Sequence, residues 1–232
     1  MKKTSIACCI LTAFMFISAF ITCVVALGGE TPAAAEDGTF SIVLDAGHGG
    51  MDGGVCGRET GVTERDINLA VTLKLKDVLE DRGFKITLTR KTDSGLYDAA
   101  TKGFKKRDMQ KRKEIVEKAN PDLLISVHQN YYPSTVTRGA QVFYAIGSEK
   151  GKAFATGLQA SLNKLYETQK VKNRVATAGD YFMLKCAPCP SVIVECGFLS
   201  SPADEKLLTS EAWQKKIAEA VASGVTAYLE NN

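Results

Sequence analysis

The chain reads as an α/β domain with a mainly parallel central sheet flanked by helices on both faces. Three observations predict this. Short apolar runs alternate along the sequence with longer amphipathic ones, the pattern of strands connected by crossover helices. Several of the short runs are unbroken stretches of β-branched residues and leucine, as in Ile42-Val43-Leu44, Leu124-Ile125 and Val192-Ile193-Val194, which suits strands covered on both sides. At 232 residues the chain is long enough for one domain, or at most two, with a sizeable core.

Taken in order, Ser41-Ile42-Val43-Leu44 is a strand ending at Asp45. Residues 64–81 are helical, because Ile67, Val71, Leu75, Val78 and Leu79 recur at three- and four-residue steps. Thr63 is placed to cap that helix, and Gly83 to stop it. Lys85-Ile86-Thr87-Leu88-Thr89 is a second strand, and a basic helix around 106–118 ends at Asn120-Pro121. Leu123-Leu124-Ile125-Ser126-Val127 forms a third strand and Gln141-Val142-Phe143-Tyr144-Ala145 a fourth. A helix follows over 149–165, then Tyr181-Phe182-Met183-Leu184 reads as extended and Ser191-Val192-Ile193-Val194 as another buried strand. The last helix carries Trp213, Ile217, Ala220, Val221, Val225 and Tyr228 on one side.

The N-terminus stands apart. Met1-Lys2-Lys3 is positively charged, and an uncharged, mainly apolar run extends from Thr4 to Gly29. That run is longer than the usual core of a signal peptide and nearly long enough to span a bilayer. Ala33-Ala34-Ala35, just before Glu36-Asp37, offers a small-residue cleavage site. Residues 1–38 therefore read either as a cleaved secretory signal or as a membrane anchor through residues 4–29 with its linker. On both readings the domain at 39–232 is exported and acts outside the cytoplasm. Of seven cysteines, Cys56, Cys186, Cys189 and Cys196 lie in that domain, enough for two disulfides, although a domain of this size does not need them. A net charge of +3 is too slight to argue for nucleic acid, though a mildly basic surface suits an anionic polymer among other partners.

The chemistry lies at the strand ends. The chain has only two histidines: His48 follows the first strand, within Asp45-Ala46-Gly47-His48-Gly49-Gly50, and His128 follows the third, within Ser126-Val127-His128-Gln129-Asn130. Ligands of open parallel sheets bind outside the carboxyl ends of the strands, so both imidazoles should face one crevice. Glu195 ends Val192-Ile193-Val194 at the same edge, and Glu64 opens the helix that follows the His48 loop. Two imidazoles and one carboxylate make a His₂Glu zinc set with a fourth position open. A second carboxylate would be the general base that takes a proton from water and returns it to the leaving group. The pattern does not say which glutamate has which part. The glycines around His48 let the chain leave the strand sharply and keep the imidazole unobstructed.

Other readings of these residues fit less well. No G-x-x-x-x-G-K-[ST] accompanies the glycines, and Gly47-His48-Gly49-Gly50-Met51-Asp52-Gly53 leads into a loop rather than a helix, so a nucleotide-binding role is excluded. Cys186-Ala187-Pro188-Cys189 has redox spacing, yet it lies between two strands instead of opening a helix, which favours a disulfide or two ordinary thiols. Arg90 and Arg112 read equally as carriers of substrate carboxylates and as surface arginines.

Four segments carry a resemblance to a family: Ile42-Val43-Leu44-Asp45-Ala46-Gly47-His48-Gly49-Gly50, Glu64-Arg65-Asp66-Ile67-Asn68-Leu69-Ala70, Ser126-Val127-His128-Gln129-Asn130 and Val194-Glu195-Cys196-Gly197-Phe198-Leu199-Ser200. In this order and spacing, they resemble the zinc-dependent N-acetylmuramoyl-L-alanine amidases of the family-3 type. The resemblance implies zinc held by His48, Glu64 and His128, with Glu195 as the catalytic carboxylate. It also implies peptidoglycan as substrate, cleaved between the muramic acid lactyl group and L-alanine. The compact layout is most similar to the sporulation amidases that prepare cortex muramic acid for δ-lactam formation, and the Thr101-Lys102-Gly103-Phe104 stretch adds to that similarity. Some members of the family depend on an activator protein. Two departures stand out, Gln129 where a small or apolar residue is usual and Ser201 where asparagine is usual, and neither is expected to touch a ligand. The competing functions are a zinc metallopeptidase acting on protein and a non-catalytic wall-binding protein that keeps the fold; the latter would have lost a ligand position, and all four are filled.

Overall fold

The computed structural model describes residues 39–98 and 101–231; the apolar N-terminal run and its linker lie outside them. Strands are β1 (Ser41–Ala46), β2 (Lys85–Leu88), β3 (Leu123–Asn130), β4 (Gln141–Ala145), β5 (Thr177–Gly179) and β6 (Ser191–Phe198). Helices are α1 (Glu64–Asp81), α2 (Phe104–Ala119), α3 (Glu149–Glu167), α4 (Pro202–Leu208) and α5 (Glu211–Glu230), with a 3₁₀ turn at Met183–Lys185. No helix among the described residues is long and apolar enough to cross a membrane.

The strands form one sheet in the order β2-β1-β3-β6-β4-β5. β1 pairs in parallel with both β2 and β3, β3 pairs in parallel with β6, and β4 runs antiparallel to β6 while β5 is parallel to β4. The order places a topological switch between β1 and β3. From β1 the chain crosses outward to β2 through α1; from β2 it returns past β1 to β3 through α2. Right-handed crossovers in opposite directions put their helices on opposite faces, and a crevice opens between the carboxyl ends of the two diverging strands.

Alternation along the strands builds two unequal cores. Ile42 and Leu44 of β1, Leu123, Ile125 and Val127 of β3, and Val192 and Val194 of β6 face a large core closed by α1, α3 and α5. The residues between them, Val43 and Leu124, face a small core completed by Val116 of α2 with Met183 and Cys186. Continuing the parity along β3 and β6 puts Ser126, His128, Ile193 and Glu195 on this second, thinner side. The thinner cover leaves room for a cleft.

Several expectations are corrected in detail. Tyr181–Leu184 is not a strand: Phe182 is in the helical region, Met183 and Leu184 are buried, and Met183 joins the small core from a turn. A short apolar run does not by itself separate a strand from a buried turn. The fifth strand is instead Thr177–Gly179, pairing with Phe143–Ala145. β3 and β6 run past their apolar stretches to Asn130 and Phe198, so His128 and Glu195 lie within strands rather than after them. Thr63 does occupy the N-cap of α1, but its hydroxyl bonds the Asp66 carboxylate rather than a backbone N–H.

Candidate metal centre

β1 ends at Ala46, and the chain turns at once, with His48 in the left-handed region at φ 62°. That conformation is uncommon for a residue with a side chain and marks sites where surrounding structure holds the backbone. Here the clamps are two buried arginines. Arg112 of α2 donates to the carbonyls of Ala46 (2.7 Å) and His48, and Arg90 donates to those of Ala46 (2.8 Å) and Gly47 (2.9 Å). Arg112 is 1% exposed and Arg90 3%. Neither sequence reading of these residues holds: they are not surface arginines, and their guanidiniums are occupied by the loop that carries His48 rather than held free for substrate.

Arg112 is balanced by Asp45, which also accepts from Thr89 Oγ1 (2.7 Å) and Ser126 Oγ (2.6 Å), and by Asp108 (2.6 Å). Burial on its own would raise the Asp45 carboxyl; the Arg112 charge and the two hydroxyl donors outweigh it and hold the group down at about 2. A buried carboxylate between a guanidinium and two hydroxyls is a satisfied ion pair that locks the end of β1 to α2 and β3.

On this base three side chains converge. Glu64, the first residue of α1, is 3% exposed, and its two oxygens face different imidazoles: Oε2 is 3.1 Å from His48 Nε2 and Oε1 is 2.9 Å from His128 Nδ1. The two rings meet edge to face with centroids 5.1 Å apart. Burial pushes the Glu64 carboxyl up, but hydrogen bonds to His128 and His48 dominate and hold it ionised, well below the usual carboxylate range. Among the described residues, His48, Glu64 and His128 are the one group of His, Cys, Asp and Glu donors gathered closely enough to hold a metal ion, with donor atoms within 4.8 Å of one another. Two imidazoles and an ionised, buried carboxylate directed at one point are the donor chemistry of a three-residue zinc site, so these residues fit the ion.

The supporting contacts are those a metal site needs. Glu64 Oε2 accepts from Val55 N (3.0 Å) and Oε1 from Gln129 N (3.2 Å) and Asn68 Nδ2 (3.3 Å). Asn68, one helical turn after Glu64, also donates to Gly47 O (3.1 Å) and accepts from Gln129 Nε2 (3.1 Å). Gln129 therefore does touch this group, through its backbone directly and through its side chain by way of Asn68, contrary to the sequence expectation. Ser201 is buried at the start of α4, and its hydroxyl has no hydrogen-bond partner among the described residues. Asp52 Oδ2 lies 3.0 Å from His48 Nδ1, the ring nitrogen turned away from Glu64, and Lys105 Nζ lies 2.8 Å from the other Asp52 oxygen. Asn68 was legible as the i+4 neighbour of Glu64. Asp52 was not, because only the path of the glycine loop brings it back to His48.

Glycine serves this site by absence of bulk, though for a different residue than expected. A Cβ on Gly47 would lie 2.2 Å from Cε1 of His128, and one on Gly54 would lie 2.3 Å from Glu64 Oε2. The space is cleared for the third-strand imidazole and for the carboxylate.

Glu195 stands beside this group and not in it. It pairs in register with His128 across β3 and β6, its Oε2 is buried without a hydrogen-bond partner, and burial pushes its carboxyl up to about 7. The two glutamates are thus driven apart in acidity, one held ionised between imidazoles and one raised toward neutral pH by burial.

Residues 42–227 match the family described as N-acetylmuramoyl-L-alanine amidase, Amidase_3. The chain belongs to this family. It is 33% identical over 193 residues to the germination-specific N-acetylmuramoyl-L-alanine amidase of Bacillus subtilis, covering 81% of this chain and 79% of that protein. Similarity to the amidase AmiA of Escherichia coli is 29% over 248 residues, covering 87% and 81%. Among solved structures, the CwlD amidase from Clostridioides difficile in complex with the GerS lipoprotein superposes with a TM-score of 0.80 at 37% identity, covering 84% of this chain and all of that one. The catalytic domain of CwlV from Bacillus (Paenibacillus) polymyxa superposes with a TM-score of 0.71 at 26% identity over 84% of this chain.

The amidase opens to solvent through a cleft of about 270 Å³ with His48, His128 and Glu195 at its base. One wall is apolar, built from Phe104 and Met109 of α2 and from Tyr181, Phe182 and Met183 of the turn before β6. Cys186 and Cys189 sit behind that wall as separate free thiols rather than as a disulfide. Burial pushes the Cys186 thiol up to about 11 and raises that of Cys189, the reverse of what a redox pair requires.

Proposed function

We propose that the amidase holds zinc through His48, Glu64 and His128, and that Glu195 is its catalytic carboxylate in hydrolysis of the bond between the muramic acid lactyl group and L-alanine. The observation that carries this is the division of the two glutamates: Glu64 lies between the imidazoles, while Glu195 lies beside His128 with a buried oxygen left unpaired. Zinc at that position supplies Lewis acidity toward the scissile carbonyl and toward the attacking water.

The chain's own residues do the rest. Glu195 accepts a proton from the attacking water and delivers it to the departing alanine nitrogen, a task suited to a carboxyl poised near neutral pH. Asp52, Asn68 and the carbonyl-clamping arginines hold the three donors close together at one place. The apolar wall of Phe104, Tyr181 and Phe182 shields one side of the scissile bond from water.

Likeness to the germination-specific enzyme and to CwlD supports spore cortex peptidoglycan as the substrate, in the step that precedes muramic-δ-lactam formation. It follows that the domain works outside the cytoplasm, delivered by residues 1–38 as a signal or an anchor. The CwlD complex with a lipoprotein supports an accessory protein for this amidase as well.

The test is digestion of purified peptidoglycan with and without a chelator, scoring free N-terminal alanine on released stem peptides and zinc per protein. Release that chelation stops and zinc restores is expected. Release that survives complete metal removal overturns the reading, as does full zinc occupancy in His48→Ala and His128→Ala.

A further inference from the structure

Away from the metal centre, the amidase carries a second cleft of about 450 Å³ whose rim is cationic. Arg138, Lys170, Lys172 and Arg174 line it, with Val136 and Val171 between them. Asp204, fully buried beneath Arg138, is already engaged, accepting from Arg138 Nε (2.8 Å), Gly139 N (2.8 Å) and Phe198 N (3.2 Å).

The two arginines are anchored through their Nε atoms: Arg138 on Asp204, and Arg174 on the Arg138 carbonyl (3.1 Å) with its guanidinium 4.9 Å from the centre of the Phe198 ring. Their terminal nitrogens and both lysine ammoniums have no acidic partner among the described residues. Lys170 holds the left-handed position that closes α3, at φ 55°, where glycine is the usual residue. Gly139, at φ 93°, lets Val171 pack against the backbone where a Cβ would lie 2.8 Å from Val171 Cγ1.

The cleft shares an edge of the sheet with the metal centre. Gln141 of β4 pairs with Glu195 of β6, and Arg138 is three residues before Gln141, so the chain between them spans at most about 10 Å. Arg174 stacks on Phe198, three residues beyond Glu195 on the same strand. A polymer with one stem peptide at the metal centre would run along this edge, and each of its stem peptides ends in carboxylates.

We propose that this cleft is an anion-binding subsite that takes the carboxylates of a neighbouring stem peptide on the same glycan strand. The proposal rests on peptidoglycan being the substrate. Anchored guanidiniums suit planar carboxylates, the two free ammoniums add attraction without fixed geometry, and the valines accept the aliphatic parts of the peptide. The subsite makes the enzyme favour polymer over a single repeat without entering the reaction itself.

The test uses the full-length protein and the double variant Lys170→Glu/Lys172→Glu, which leaves the anchored arginines and the metal centre intact. Three substrates are compared: a soluble disaccharide-peptide monomer, intact sacculi, and sacculi stripped of phosphodiester polymers. KM on stripped sacculi should rise roughly tenfold, the size expected from reversing two exposed charges near an anion, with kcat and monomer hydrolysis unchanged. Wild-type KM should also rise more steeply with salt than that of the variant. Equal KM values for the two proteins on stripped sacculi overturn the subsite, and so does an equal loss on the monomer. A defect confined to intact sacculi overturns the carboxylate assignment in favour of phosphate. If the wild type releases no stem peptide from any substrate, it is the amidase reading that fails; co-sedimentation of both proteins with stripped sacculi then decides the subsite separately.

Discussion

His128 and Glu195 are register partners on adjacent parallel strands, so their side chains leave the same face of the sheet about 5 Å apart. That pairing places the second carboxylate next to the His48–Glu64–His128 group without making it a member. It keeps Glu195 apart from three donors that could hold an ion, using nothing more than the side-chain alternation of two strands.

The first prediction follows from that separation. Glu195→Gln keeps the side-chain volume and removes the titratable oxygen, so amidase turnover should fall by roughly 10²–10⁴-fold, the usual contribution of a general acid–base. Zinc content, measured by atomic absorption on the same sample, should match the wild type. Loss of the metal from a folded Glu195→Gln protein would exchange the parts given to the two glutamates.

Gly47 tests how tightly the site is built. In Gly47→Ala the new methyl would sit 2.2 Å from His128 Cε1, so the ring must move. The backbone there is not left-handed, so strain in the loop is not the cause. Zinc affinity should drop by an order of magnitude or more, in the range seen when the support of a metal ligand is disturbed. Far-UV circular dichroism should be unchanged. Wild-type affinity in Gly47→Ala would contradict the close approach.

Acid stability should carry the signature of Asp45. Its carboxyl is held at about 2 in the fold against an ordinary 3.8, so the folded state favours the ionised form. This contribution is complete above about pH 4 and is lost as pH falls toward 2; from the shift it amounts to about 2 kcal/mol. Asp45→Asn should remove that acid limb from a denaturation profile. At neutral pH the same variant should be less stable by about 3–5 kcal/mol, because Arg112 is left buried with one partner fewer. A profile of the variant that keeps the wild-type slope between pH 4 and 2 would rule out Asp45 as its source.

The thiols should separate by burial. Cys56 is exposed, Cys186 is buried with its thiol pushed up to about 11, and Cys196 is fully buried with its thiol pushed up to about 12. At pH 8 a maleimide should label Cys56 first and leave Cys186 and Cys196 protected until the protein is denatured, which peptide mapping reads directly. Labelling of Cys186 as fast as Cys56 in the native protein would show that the small core opens.

By itself the sequence determined the fold class, most of the strands and helices, and the identity of the four side chains at the centre. These are local properties. Consecutive β-branched residues require a strand covered on both faces, three- and four-residue spacing requires an amphipathic helix, and a histidine just past a parallel strand belongs to the ligand-binding edge. The tertiary structure decided everything that depends on residues distant in the chain. Glu64, rather than Glu195, lies between the imidazoles because the start of α1 is brought to a strand 64 residues further on. Arg90 and Arg112, which read as surface or substrate-binding residues, are buried clamps on the His48 loop because two crossovers of opposite direction enclose the end of β1. Gly47 gives its space to His128, not to its neighbour His48, because β3 lies alongside β1 and directs that ring over the glycine. Sequence patterns report the period of an element and the face it buries; which side chains meet at its end is set by strand order, and that is a property of the whole chain.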